Sequence, residues 1–237
     1  IRDRREKQLE IIYSQMVKIC SIGESQVAEE IQDLIEKQTN PTIAPYAKTG
    51  EVHLRITAKG KNEKECQKLI KPVVKELKAR FGRNVFATEE SKTLEEAVVD
   101  MLKEQEMTLS LAESCTGGAI AARIVNVSGA SEVFLQGMVT YSNKAKRRCL
   151  DVSKSTLKKH GAVSEECAAE MAKGGRKAAE TDICLSVTGI AGPGGGTKEK
   201  PVGTVFMGCS YKGCTRVREF HFQGNRARVR EQTVAHG

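Results

Sequence analysis

The first part of the chain carries apolar residues at two periods, one typical of helices and one of strands. Four apolar residues recur at the spacing of a single helix face: Val27, Ile31, Leu34 and Ile35. Asn40-Pro41 predicts the end of this helix, because the residue before a proline disfavours helical backbone. Residues 51–59 alternate apolar and polar positions, which predicts a strand with one solvated face.

A second helix is predicted to begin at Asn62, which forms a capping-box pattern with Glu65. Its apolar positions are Leu69, Ile70, Val73, Val74 and Leu77. Pro72 predicts a kink or a later helix start, and Gly82 fits the C-terminal cap. A short apolar run at 85–87 predicts a last strand. Together these elements predict a small α+β domain over residues 1–90.

A polar linker is predicted at residues 88–92, followed by a helix whose capping box is Thr93 and Glu96. The apolar positions of this helix are Ala97, Val98, Met101 and Leu102. Beyond residue 108, strand-like runs alternate with helical stretches. The strand-like runs are 109–112, 133–140, 183–188, 204–207 and 217–222, and the helical stretches are 119–125, 164–179 and 226–234. This alternation predicts a three-layer α/β/α domain over 91–237, with a mixed sheet because a tight turn at 211–213 joins the last two strands.

The composition is that of a globular protein, with 39% hydrophobic and 29% charged residues in 237. This excludes a predominantly disordered chain. No run of about 18 apolar residues predicts a membrane span, and the charged segment Ile1–Lys7 lacks the apolar core of a signal peptide. The eight cysteines form no CxxC pair and have no histidine nearby to complete a zinc site, so we expect reduced core thiols in a cytoplasmic protein.

The net charge of +8 is spread over both predicted domains. A solvated surface of mixed charge accounts for it, and a phosphate-bearing ligand or a nucleic acid is the alternative. Aromatic residues make up only 4% of the chain, which argues against a stacking platform for single-stranded nucleic acid.

Residues 111–118 combine small and hydroxyl side chains between a predicted strand and a predicted helix. This places three candidate nucleophiles, Ser114, Cys115 and Thr116, beside backbone amides at a helix start that can stabilise an oxyanion or a phosphate. A thiolate forms readily at such a position, which makes Cys115 the rival to Ser114. The alternative is that the segment simply caps a helix. Glu113 is either a capping anion or a hydrogen-bond partner of a ligand.

Residues 140–146 bring Tyr141 and Lys146 close together at the end of a predicted strand. A desolvated lysine near a serine hydroxyl loses its charge and can act as a base. The Tyr-x-x-x-Lys pattern of dehydrogenases fails at Ala145, and the Ser-x-x-Lys pattern fails at Gly117. The alternative is a strand that runs into a solvated basic helix.

Residues 187–197 contain five glycines within eight positions after a predicted strand. Such a loop lets backbone amides approach an anion, although it matches neither a Walker loop nor a dinucleotide-binding fingerprint. Further on, Asn225 is predicted to cap a helix that presents Arg226 and Arg230 on one side. Either arginine could bind a phosphate, or both could be surface charge.

Taken in order, the signatures AlaGluSerCysThrGlyGly, ThrTyrSerAsnxxLys, HisGlyAlaValSer and ValThrGlyIleAlaGlyProGlyGlyGlyThr with LysProValGlyThr resemble the CinA C-terminal family. That family includes nicotinamide-nucleotide amidohydrolases, and the resemblance covers about Thr93–Val234. The N-terminal segment is similar to the KH-like module that precedes this domain in CinA proteins. It lacks a Gly-x-x-Gly loop, which argues against RNA binding.

The resemblance implies hydrolysis of the carboxamide of nicotinamide mononucleotide to nicotinate mononucleotide and ammonia, without a metal or other cofactor. Ser114, Tyr141 and Lys146 take the positions of the family's catalytic residues. The helix-start amides would hold the oxyanion and the glycine-rich loop the phosphate. Substrate contacts are expected at Glu113, Cys115, Thr116, Gly117, Gly118, Thr188, Gly189, Gly192, Gly194, Gly195 and Arg226.

The resemblance also implies a homodimer. A membrane partner is not expected because the chain has no long apolar run, and a nucleic-acid partner is not expected because aromatic residues are scarce and the Gly-x-x-Gly loop is missing. Full-length CinA proteins begin with a molybdopterin-binding-like domain linked to ADP-ribose pyrophosphatase activity. No counterpart is recognised in this chain, so that activity is not expected. The main alternative is a non-catalytic module that senses a nucleotide, or that contacts a protein or nucleic acid, in competence or DNA-damage responses.

Overall fold

The computed structural model describes residues 10–237. The predicted absence of a signal peptide concerns Ile1–Lys7, which lies outside the described residues. The chain divides between Ala97 and Val98 into two compact units. Within residues 10–237, no helix has the length and apolar character that a membrane span requires.

The first unit contains a four-stranded antiparallel sheet in the order β2-β3-β1-β4. The strands are β1 (Ile11–Cys20), β2 (Thr42–Lys48), β3 (Glu51–Gly60) and β4 (Val85–Ala87). The helices are α1 (Glu24–Glu30), α2 (Gln32–Lys37) and α3 (Glu63–Phe81). The core lies between α3 and the sheet, where Ile70 and Leu77 pack against Val17 and Leu54.

Several local predictions for this unit hold. The Glu65 amide donates to the Asn62 side chain at 3.0 Å, and Gly82 ends α3 with a φ of 52°. Three predictions are wrong. The single helix expected around Ile31 is two short helices that meet there, since Ile31 leaves the helical region (φ −112°, ψ 6°). Of the two outcomes expected for Pro72, the later helix start is wrong, since α3 begins at Glu63 and continues through Pro72 with its apolar face packed on the sheet. His53, expected on the solvated face, is buried and bonded to Glu51.

The second unit contains a five-stranded sheet in the order β6-β5-β7-β8-β9. Its strands are β5 (Leu109–Glu113), β6 (Phe134–Val139), β7 (Ile183–Gly189), β8 (Thr204–Tyr211) and β9 (Cys214–His221). The first three run parallel, and β8 and β9 are antiparallel, which confirms the mixed sheet and the predicted hairpin. The remaining helices are α4 (Leu94–Glu104), α5 (Ala119–Val125), α6 (Asn143–Leu150), α7 (Lys154–Lys159), α8 (Glu165–Ala179) and α9 (Arg226–His236).

Helices cover both faces of this sheet, because successive strand side chains point to opposite sides. Leu111 of β5 packs in a cluster with Ile120 of α5 and Val229 of α9. Its neighbour Ala112 packs in a second cluster, which includes Leu150 of α6. The three-layer α/β/α architecture predicted from the sequence is therefore confirmed.

Glycines let α8 approach its neighbours closely. A Cβ at Gly174 would lie 1.8 Å from the carbonyl oxygen of Leu150 at the end of α6. A Cβ at Gly175 would lie 2.6 Å from the sulfur of Cys184 in β7. The position of α6, and of the residues it carries, therefore depends on the absence of these side chains.

Two expectations about side-chain burial are corrected. Met101 of α4 is 55% exposed, and Val99 occupies the core instead, because the buried face of the helix is rotated from the predicted one. All eight cysteines are free, but Cys149, Cys209 and Cys214 are exposed. Cys209 and Cys214 lie on the two strands of the terminal hairpin, where apolar neighbours in sequence do not guarantee burial.

Candidate active site

The three predicted sequence segments meet at one end of the second sheet. Residues 113–118 follow β5, residues 140–146 follow β6, and the glycine-rich loop follows β7. These three strands are adjacent and parallel, so their carboxyl ends lie at the same edge. Ligand sites in α/β folds are usually found at this edge.

Ser114 and Lys146 are in direct contact. Ser114 comes immediately after β5, and Lys146 lies in α6, whose first turn is capped by the hydroxyl of Ser142. The Lys146 ammonium donates to Ser114 Oγ at 2.8 Å and to the carbonyl of Thr140 at 2.7 Å. A third contact reaches the carbonyl of Tyr141 at 3.3 Å. The alternative of a solvated lysine is wrong, since Lys146 is only 1% exposed.

Burial lowers the pKa of Lys146 from its ordinary value of 10.5. Its hydrogen-bond partners in the described part of the chain are a hydroxyl and two carbonyls, so no carboxylate offsets the loss of hydration. The lowered pKa makes the neutral amine easier to form next to the serine hydroxyl than it is for a solvated lysine. A neutral amine at this distance can accept the hydroxyl proton.

Glu113 is the capping anion of α5. Its buried carboxylate accepts hydrogen bonds from the amides of Gly118 at 3.0 Å, Ile120 at 3.2 Å and Ala121 at 2.8 Å. Of the helix-start amides expected to hold the oxyanion, these three are therefore already engaged by Glu113. The alternative in which Ser114 or Thr116 caps the helix is also wrong, since Glu113 has that role.

Arg230 of α9 stabilises the turn after Ser114 through two hydrogen bonds. Arg230 donates from Nε to the carbonyl of Cys115 at 3.1 Å and from Nη2 to the carbonyl of Thr116 at 2.8 Å. Sequence reasoning placed Arg230 on the same helix side as Arg226 but did not predict this contact. Its guanidinium holds the backbone rather than lying free for a phosphate.

The other two candidate nucleophiles are less suited to attack. Burial raises the pKa of the Cys115 thiol to about 11, so a readily formed thiolate is not what the structure shows. The side chain of Thr116 is fully buried, and its hydroxyl has no hydrogen-bond partner among residues 10–237. Ser114 alone of the three is bonded to a base.

Tyr141 and Arg226 lie at the exposed side of this cluster. Arg226 donates to the hydroxyl of Tyr141 at 3.1 Å and to the carbonyl of Gly192 at 2.9 Å, so it joins the end of β6 to the glycine-rich loop. The ring of Tyr141 is 62% exposed. Its hydroxyl is directed to Arg226, and Lys146 contacts only its carbonyl. Asn225 caps α9 as predicted.

The glycine-rich loop contains both structural and open positions. The buried hydroxyl of Thr188 donates to the carbonyl of Ala162 at 2.8 Å, and Gly189 pairs with Val205 within the sheet. Gly192 is buried with a φ of 84°, whereas Gly194 and Gly195 are exposed. Gly194 and Gly195 thus lie at the surface of the loop, whereas Thr188, Gly189 and Gly192 belong to its structural part.

Sequence reasoning missed Lys200, which holds the neighbouring segment. Its ammonium donates to the carbonyls of His160 at 2.9 Å and Val163 at 2.6 Å. The HisGlyAlaValSer signature offered a signal, because the backbone carbonyls of such a loop need hydrogen-bond donors and Lys200 supplies two of these bonds. Across residues 10–237, no three metal-ligating side chains lie close enough to hold a metal ion.

Comparisons with known proteins match both parts of the chain. The model of the CinA C-terminal domain matches residues 91–237, and that of the damage-inducible protein CinA KH domain matches residues 14–87. A Clostridium beijerinckii protein named for competence-damage induction is 54% identical over 98% of this chain and 57% of its own. A CinA-like protein of Dictyoglomus turgidum is 49% identical over 96% of this chain and 55% of its own. The chain therefore spans little more than half the length of these relatives.

Solved structures give the same result. The competence/damage inducible protein CihA from Agrobacterium tumefaciens is 39% identical, with a TM-score of 0.59 over 60% of this chain and 87% of its own. A CinA superfamily protein from Escherichia coli is 33% identical, with a TM-score of 0.59 over 65% of this chain and 92% of its own.

Proposed function

The chain belongs to the CinA family, and we propose that its second unit hydrolyses the carboxamide of nicotinamide mononucleotide to nicotinate mononucleotide and ammonia. The observation that carries the proposal is the contact of 2.8 Å between Lys146 Nζ and Ser114 Oγ in a buried setting that lowers the lysine pKa. Hydrolysis of an unactivated amide needs a nucleophile and a base in this relation.

The first half of the reaction forms an ester on the enzyme. Ser114 Oγ attacks the carboxamide carbon while neutral Lys146 accepts the hydroxyl proton. The carbonyl oxygen becomes an oxyanion. As the tetrahedral intermediate collapses, Lys146 gives this proton to the departing nitrogen. The C–N bond breaks and ammonia leaves.

The second half releases the acid. Water attacks the ester carbon, and Lys146 accepts a proton from it. The bond to Ser114 Oγ breaks, and Lys146 returns the proton to that oxygen. The direct contact between Lys146 and Ser114 supports proton transfer without Tyr141 as a relay. Tyr141 then serves on the substrate side, with its exposed ring beside Arg226.

The nucleotide is held at the exposed rim in this proposal. Arg226 and the amides of Gly194 and Gly195 offer charge and donors to a phosphate. Glu113 and Thr188, expected to touch substrate, act instead through the backbone that they hold.

The first test replaces the nucleophile. We expect Ser114→Ala to lower kcat for ammonia release from nicotinamide mononucleotide to the level of the assay background, while circular dichroism shows a native fold. Cys115→Ala is the matched control, since it removes the adjacent thiol and should keep activity within several-fold of wild type. An active Ser114→Ala enzyme, or an inactive but folded Cys115→Ala enzyme, would reject Ser114 as the nucleophile.

A further inference from the structure

Two backbone amides near Ser114 are available for an oxyanion. Glu113 takes three amides of α5, and the Gly117 amide donates to the Ser114 carbonyl at 3.1 Å. The amides of Cys115 and Thr116 donate to no backbone carbonyl in the described part of the chain. Both face the Cys115 sulfur, which is a weak acceptor. They are therefore the donors of this turn that a developing negative charge can recruit.

The direction of the Thr116 amide depends on Arg230. In a trans peptide the N–H points opposite to the C=O of the preceding residue. The Cys115 carbonyl belongs to the same peptide group as the Thr116 N–H, and it accepts from Arg230 Nε at 3.1 Å. The N–H is thereby held on the side away from the guanidinium.

The second contact of Arg230 fixes the next peptide group. Its Nη2 donates to the Thr116 carbonyl at 2.8 Å, so one rigid guanidinium spans two successive carbonyls. Gly117, which follows, has a φ of 64°, a backbone conformation that glycine adopts without steric cost. A glycine in this position would let the Cys115–Thr116 peptide rotate if the two contacts to Arg230 were lost.

We propose that Arg230 is a positioning residue for the hydrolysis: by holding the carbonyls of Cys115 and Thr116 it fixes the direction of the Thr116 N–H, the donor assigned here to the oxyanion. This role rests on the proposed function. It differs from a phosphate contact, because both nitrogens that reach the turn are already engaged with protein carbonyls.

The test compares three variants of the full chain with nicotinamide mononucleotide as substrate. Arg230→Met keeps the length of the side chain but removes every donor, and we expect kcat to fall about 10²-fold, as for loss of one oxyanion donor. Arg230→Lys keeps the charge with a donor that reaches one carbonyl, and its kcat should lie between those of wild type and Arg230→Met. Arg228→Met is the control, because Arg228 lies on the same helix but is exposed and pairs with Glu231.

Three further readouts separate positioning from other roles. For Arg230→Met we expect KM and the Kd of nicotinate mononucleotide, measured by calorimetry, to stay as in wild type. We also expect no change in the acid limb of the kcat/KM profile, which is the loss of kcat/KM at low pH as Lys146 is protonated. An Arg230→Met enzyme with wild-type kcat overturns the inference. So does a parallel loss of product affinity, which marks a phosphate contact, or a shift of the acid limb to higher pH, which marks an effect on the charge of Lys146.

Folding and the proposed function are controlled in the same experiment. If Arg230→Met fails to fold, Arg230→Lys carries the test, and a folded Arg230→Lys enzyme with wild-type kcat overturns the inference. A wild-type enzyme that releases no ammonia rejects the proposed function and this role with it. A fully active wild type with an equally active Arg230→Met rejects the positioning role alone.

Discussion

The surroundings of the Lys146 side chain disfavour its charged form. Its ammonium lies among carbonyls and a hydroxyl at 1% exposure, and an uncompensated charge there is costly. The sequence could predict Ser114 and Lys146 as chemically suited residues. It could not predict their contact, since they lie on segments that only the pairing of β5 with β6 brings together.

The pH dependence of the reaction follows from the lowered pKa of Lys146. A protonated lysine cannot accept the Ser114 proton, so kcat/KM should rise as the pH increases through the pKa of Lys146 and be lost below it. Burial places this limb below the ordinary value of 10.5. Lys146→Arg keeps a permanent charge and should lower kcat/KM by about 10²–10⁴-fold at every pH. A kcat/KM that falls as the pH rises through the pKa of Lys146 would contradict direct base catalysis. An active Lys146→Arg enzyme would contradict it as well.

Other residues in the site could not be assigned from spacing alone. The sequence allows Glu113 either to cap a helix or to contact a ligand. In the structure it caps α5, because its carboxylate accepts hydrogen bonds from three backbone amides. Cys115 was predicted to be reactive from its place before a helix. Burial has the larger effect and raises its pKa. Both outcomes depend on three-dimensional surroundings that a linear pattern does not contain.

At the scale of elements, the sequence pattern predicted every strand of the second unit and, after residue 108, the helices α5, α8 and α9. The pattern was a poorer guide to features that depend on the three-dimensional surroundings of a segment. The alternative for residues 140–146 included a basic helix, and α6 is that helix, but with Lys146 turned inward. In the first unit the break at Ile31 depends on local backbone angles rather than on the apolar spacing.

The packing of α6 against α8 leads to a prediction with an unusual sign. Gly→Ala inside a helix ordinarily stabilises it by about 0.5–1 kcal/mol. At Gly174 the new Cβ would lie 1.8 Å from the Leu150 carbonyl oxygen, so we expect Gly174→Ala to lower the free energy of unfolding by about 1–3 kcal/mol. Because α6 carries Lys146, kcat should fall as well.

Urea unfolding and the ammonia assay measure these two effects. Gly194→Ala is the control for the unfolding measurement, since a Cβ there meets nothing within 4 Å. Its unfolding free energy should stay within about 0.5 kcal/mol of wild type. A Gly174→Ala variant more stable than wild type would show that α6 and α8 are not in the close contact described.

For the whole molecule, the net charge of +8 first suggested a nucleic-acid partner as one alternative. Several of these cations make specific hydrogen bonds in the structure. Lys146 contacts Ser114, and the loops around it are held by Lys200, Arg226 and Arg230. Membership of the KH domain family is shown for residues 14–87. The homodimer, the absence of a nucleic-acid partner and the cytoplasmic location stay predictions, because a single chain carries no contact that bears on them.

The candidate site lies entirely within the second unit. Solved relatives such as the Agrobacterium tumefaciens protein consist almost wholly of the matched part, with 87% of that chain covered. We therefore expect a fragment of residues 91–237 to fold and to keep the kcat of the whole chain. An inactive but folded fragment would mean that residues before 91 contribute to the reaction.

Steady-state ammonia release from nicotinamide mononucleotide, by the 237-residue chain and by this fragment, is the decisive measurement for the proposed hydrolysis. Nicotinamide riboside and free nicotinamide serve as substrates without the phosphate or the whole nucleotide. We expect equimolar ammonia and nicotinate mononucleotide from both proteins, with lower kcat/KM for the two smaller amides. No ammonia from the folded 237-residue chain with any of the three amides would contradict the proposed hydrolysis.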